Sequence, residues 1–173
     1  MTAINSHFAL VPEGVELQLT DLEVTFLMDL PRLLASLGTA EADPGAARLS
    51  PPVYLGDPEA DAEWRRLAGT ELEASRRADR SAFEVVLEAV RDSLPESRGD
   101  EPEGSLGRAV ISRPEADAVL RVVNEARLVL GARWGIETAG DYDDLRPEAS
   151  EVLSFLGWLV SDLAEVLEET LGR

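Results

Sequence analysis

From residue 148 to 171 the apolar side chains Val152, Phe155, Leu156, Leu159, Leu163, Val166 and Leu167 recur three and four positions apart. On a helix of 3.6 residues per turn that spacing puts them on one stripe, which must be buried against other apolar surface. No heptad pattern runs long enough for a coiled coil, so the stripe needs partners from its own chain. Helices are predicted for them at 21–37, 58–92 and 113–134, each behind a start signal. Thr20 with Glu23 and Ser112 with Glu115 are capping boxes, and Asp57 precedes a proline suited to the first turn. Pro31 should kink the first helix or split it at Leu30. A break in the second is expected at Gly69-Thr70, where Thr70 and Glu73 offer another capping box.

Before the first helix, Val15, Leu17 and Leu19 alternate with Glu16 and Gln18, the pattern of a half-buried strand. Two strands are expected at about 7–11 and 15–19 around Pro12-Glu13-Gly14, and a third short one at about 107–111. The expected fold is mainly α: a four- to five-helix bundle with a small two- or three-stranded β-sheet at one end, forming one domain over residues 1–173. Between the first two helices lies an irregular stretch of nearly twenty residues, which Leu49, Val53, Tyr54 and Leu55 should pack onto the core. Residues 95–105, polar and rich in proline and glycine, read as a mobile loop.

Charge narrows the function classes. Thirty-four acidic residues against sixteen arginines give a formal charge of -18, which repels nucleic acid and anionic membranes. There is no lysine, which removes Schiff-base chemistry, and no cysteine, which removes thiol nucleophiles, disulfides and cysteine-zinc sites. The amino-terminal stretch lacks the pattern of a secretory signal, and the apolar run 152–160 is too short to span a bilayer, so a cytoplasmic protein is expected. Phosphate-loop, dinucleotide, nucleophile-elbow and zinc-protease motifs are missing. His7, the sole histidine, has no second imidazole and reads as a surface or strand residue. Asp141, Asp143 and Asp144 alternate as in a calcium loop, but without its glycine and terminal glutamate in register they read as a solvated acidic loop. No catalytic residue, cofactor or metal is expected.

Two helices nevertheless place ionic groups where apolar ones belong. Arg127 falls between Leu120 and Trp134 on the helical wheel, and Ser75, Arg76 and Asp79 interrupt the stripe of the 58–92 helix. A buried guanidinium must pair or reach water. The expectation is that Arg127 meets Glu63, Glu71 or Asp79, with Gly131 permitting the close helix approach.

The segments "ARLSPPVYLGDPEADAEWRRLAGTELEASRRAD" and "VVNEARLVLGARWGI" together resemble the actinobacterial AosR-like family of oxidative-stress regulators, long described as a domain of unknown function. Its members carry an Arg-Leu-x-Pro…Tyr…Asp segment leading into an Arg-Arg-Leu helix, then an Asn-x-x-Arg-Leu-x-Leu-Gly-x-Arg block. The matching positions are Arg48, Tyr54, Asp57, Arg66, Asn124, Arg127, Gly131 and Arg133, as structural or partner-binding residues. The resemblance implies a non-enzymatic cytoplasmic regulator of transcription under oxidative stress, with a sigma factor or RNA polymerase as protein partner. Redox sensing described for the family uses a cysteine pair, which this chain lacks. Direct nucleic-acid or membrane binding is not expected, and a homo-oligomer is compatible with the sequence. The alternatives are an adaptor or scaffold outside transcription, and a small enzyme using the Asn124/Arg127 face.

Overall fold

The structure, a computed structural model, describes residues 6–95 and 105–171. Most of the loop expected to be mobile, 96–104, lies outside the described residues. Strands β1 (Phe8–Val11) and β2 (Gly14–Thr20) form a hairpin, and β3 (Leu106–Ile111) pairs antiparallel to β2, giving the order β1-β2-β3. Phe8 lies opposite Leu17, and Val15 opposite Ile111. Alternation points Val15, Leu17 and Leu19 inward, and all three are buried.

Six α-helices stand among the described residues: α1 (Asp21–Leu27), α2 (Leu30–Ala35), α3 (Pro44–Leu49), α4 (Pro58–Asp92), α5 (Arg113–Arg133) and α6 (Pro147–Leu171). A 3-10 turn spans Ala139–Asp144. The fold is thus mainly α with a small three-stranded antiparallel sheet. One core unites Phe8, Leu17 and Leu19 with Val24, Leu27, Leu30 and Leu34, with Phe83, Leu87 and Val90, and with Val122, Val123, Ala126 and Val129. The α6 stripe closes it through Leu156, Leu159, Leu163 and Leu167.

The expected helix at 21–37 is two helices. Pro31 sits in the first turn of α2, where its missing N–H costs nothing, and the chain breaks just ahead of it. Where an irregular stretch was expected, Asp43 caps the short helix α3 by accepting from the Gly45 amide at 2.8 Å. Gly45 lies so close to α5 that a Cβ there would stand 2.7 Å from Val129 Cγ1.

The expected break at Gly69-Thr70 does not occur, and α4 runs unbroken for 35 residues. An interior glycine costs a helix only about 1 kcal/mol, and alanine, leucine, glutamate and arginine on both sides offset that. The buried residues of α4, Arg80, Phe83, Val86, Leu87 and Val90, all lie in its C-terminal half. The preceding half, roughly 25–30 Å of helix, holds no buried residue, and the segment that follows α3 runs beside it. Asp61 accepts from the Val53 amide at 2.7 Å and from Arg65 Nε at 2.7 Å, while Arg65 and Arg76 donate to the carbonyls of Ser50 and Leu49. Leu49 packs against the core, but Val53, Tyr54 and Leu55 do not, contrary to expectation: all three are exposed. The segment's polar backbone is held by α4 side chains, and its apolar side chains are left in water.

His7 is also not at the surface. It is 1% exposed, with Nε2 3.0 Å from Glu23 Oε1 and its ring edge-on to Phe155 and Trp158. Glu23 serves twice, because its other oxygen accepts from the Thr20 amide to complete the α1 capping box. Burial pushes the Glu23 carboxyl up, but the bonds from His7 and Thr20 outweigh it and hold it below the ordinary value.

Candidate functional site

Val122, Val123, Ala126 and Val129 define the buried arc of α5, and the helix presents a polar flank on either side of it. One flank faces α4. There Arg121 grips Asp79 with two bonds of 2.8 Å, and Arg76 Nε lies 3.0 Å from Glu125 Oε1. Burial pushes the Glu125 carboxyl up, against the pull of Arg76 and Arg80. A polar layer between these helices therefore exists, but its α5 members are Arg121 and Glu125. The expected pairing of Arg127 with an α4 carboxylate is not made, since Asp79 belongs to Arg121 and Glu63 to Arg66.

Arg127 lies on the other flank, half-buried, with its stem over α6 where a Cβ on Gly157 would stand 3.8 Å from Arg127 Cδ. The room does not depend on Gly131. At Gly131 a Cβ would meet Ile136 at an ordinary 3.9 Å. The part Gly131 plays is in the helix end: its carbonyl accepts from the Ile136 amide at 2.9 Å while Gly135, at φ 78°, takes the left-handed conformation. This Schellman-type turn folds the chain back across the flank. Thr138 then caps the 3-10 turn, and Asp141 accepts from the Glu137 and Thr138 amides at 2.8 and 2.6 Å.

A cavity of about 260 Å³ lies under that turn, lined by Arg48, Arg127, Gly131, Glu137, Thr138 and Tyr142 among others. Arg127 Nη2 donates to Asn124 Oδ1 at 3.3 Å, while its Nε is buried with no acceptor. Among the described residues neither Arg48 nor Arg127 has a carboxylate within 4.0 Å.

The structure thus brings Arg48, Asn124, Arg127 and Gly131 together and leaves the other motif residues elsewhere. Arg133 binds Asp43 and ties α5 to α3. Asp57 caps α4, accepting from the Ala60 amide at 3.0 Å. Tyr54 lies exposed beside the free half of α4, and Arg66 lies exposed on it, paired with Glu63. Thr138 and Tyr142 were not singled out from sequence. The signal for them was the Gly135 stop after the helix, followed by Thr138 three residues before Asp141.

The free half of α4 is the second candidate surface. Leu67 is 65% exposed, Leu72 40% and Leu55 87%, and Val53 and Tyr54 in the segment beside this half are exposed as well. Glu59 and Glu71 on the same half form no ion pair among the described residues. Elsewhere, Leu22, Phe26, Val152 and Phe155 form a shallow apolar groove bordered by Glu23, Glu148 and Glu151.

The family model for a domain of unknown function (DUF2017) matches residues 5–167. No curated protein and no solved structure matches the chain.

Proposed function

The chain belongs to the DUF2017 family, and we propose that this member is a non-enzymatic cytoplasmic regulator that works by binding another protein. The observation that carries this reading is the free half of α4, where Val53, Tyr54, Leu55, Leu67 and Leu72 stand in water. Exposed apolar side chains gathered on one half of a helix and the segment beside it support a surface that another protein covers. Each leucine of this kind is worth about 1.5–3 kcal/mol when removed from water. The partner is a basic protein, because a charge of -18 attracts one and repels an acidic one. The resemblance to AosR-like regulators supports a sigma factor or RNA polymerase, whose DNA-facing surfaces are basic. No helix among the described residues is long and apolar enough to cross a membrane.

The test is binding of the immobilised full chain to purified RNA polymerase core and to individual sigma factors. The reading expects saturable binding that weakens as salt rises. It also expects the double change Leu67→Asp and Leu72→Asp to abolish binding, while Leu22→Asp in the separate groove leaves it intact. Binding to none of these proteins would reject the transcriptional reading. Binding that survives the double change would reject the surface.

A further inference from the structure

The cavity beneath the α5 turn brings together two arginines that have no ion pair among the described residues. Elsewhere on α5 and the helices packed on it, arginines are neutralised: Arg133 by Asp43, Arg121 by Asp79 and Arg76 by Glu125. Arg48 and Arg127 come from different elements, line one cavity, and have no carboxylate within 4.0 Å among the described residues. Glu137 lines it too, without reaching either guanidinium. The Arg127 guanidinium is half-buried, makes one long bond to an amide oxygen, and has an Nε with no acceptor, so its hydrogen-bonding capacity is largely unused. We propose that this cavity binds a small oxyanion-bearing ligand, its phosphate or carboxylate held between Arg48 and Arg127. Guanidinium forks match both groups. The Tyr142 hydroxyl, with no hydrogen-bond partner among the described residues, supplies a further donor beside them. At about 260 Å³ the space is slightly below the range of drug-sized sites, about 300–1,000 Å³. The ligand is therefore a small metabolite or a free anion. This site is distinct from the protein-binding face of α4, and neither proposal depends on the other.

The test follows the arginine Nε–H resonances of the full-length chain by 15N NMR at constant ionic strength. Sodium phosphate and sodium acetate are titrated separately, with sodium chloride as the reference. A saturable shift of the Arg127 Nε–H signal is expected with at least one of them. Response to phosphate alone identifies a phosphate ligand, and response to acetate alone a carboxylate. Arg48→Gln, a change at an exposed side chain that leaves the core untouched, should weaken binding about tenfold or more. Shifts no larger than those with chloride, or equal affinity in Arg48→Gln, would overturn the proposal.

Discussion

Arg133 and Asp43, ninety positions apart, form a bidentate ion pair, Nε to Oδ1 at 3.1 Å and Nη2 to Oδ2 at 2.6 Å. It joins the last turn of α5 to the residue that caps α3. The Arg133 guanidinium, with help from the Gly45 and Gly38 amides, holds the Asp43 carboxyl far below its ordinary value of 3.8. A carboxyl whose folded value is depressed contributes stability that is complete above its unfolded value and fades as the pH falls below it. Asp43→Asn, which keeps a capping oxygen, should therefore be less stable than the parent at neutral pH. The deficit should shrink below about pH 3.8, as denaturant midpoints across pH will show.

Arg76 and Glu125 have the opposite sign. Both side chains are 18% exposed, and burial raises the Glu125 carboxyl. Arg76→Gln leaves that carboxylate without its nearest counter-charge and should cost about 2 kcal/mol at neutral pH. Because its folded value lies above the ordinary 4.5, Glu125 is neutralised as the pH falls toward 4.5, so the loss should diminish over that range and change little below it. Urea titrations at neutral and acidic pH measure both numbers.

Two glycines should respond in opposite directions to alanine. At Gly45 the new Cβ would meet Val129 Cγ1 at 2.7 Å and the Val129 carbonyl at 3.3 Å, so overpacking should cost about 1–3 kcal/mol. At Gly69 nothing lies within 4 Å of the new Cβ, and the residue is inside a helix. Gly69→Ala should stabilise by about 0.5–1 kcal/mol. Thermal melts of the two variants decide this.

Arg127→Leu should leave stability within about 1 kcal/mol of the parent, because among the described residues the side chain has no ion pair and gives up only one long hydrogen bond to Asn124. This reverses what the helical wheel alone suggests. A loss of several kcal/mol in calorimetry would reveal an energetic role that the contacts of Arg127 do not explain.

The elements were legible wherever periodicity and capping agreed. The α6 stripe, the β1–β2 alternation and the Thr20/Glu23 and Ser112/Glu115 boxes mark real structure because local chemistry and burial point the same way. Gly69-Thr70 misleads because a capping box is equally at home inside a long helix whose neighbours favour continuation. Val53, Tyr54 and Leu55 mislead because apolar content says that a segment seeks burial, not that its own chain supplies it. At Arg127 the wheel finds the correct helix but the wrong neighbour. An error of about one residue in centring the arc moves a side chain by about 100°, from facing α4 to facing α6. The cavity itself was not legible, since it forms where a helix end, α3 and the turn after Gly135 meet in space.

The central claim is that the free half of α4 is the surface that a protein partner covers. Hydrogen–deuterium exchange of the chain, alone and saturated with the RNA polymerase or sigma-factor partner, tests it most directly. The account predicts that protection on binding concentrates in residues 53–75 and is lost with Leu67→Asp and Leu72→Asp. Unchanged exchange in 53–75, with protection appearing instead on α6 or the sheet, would contradict it.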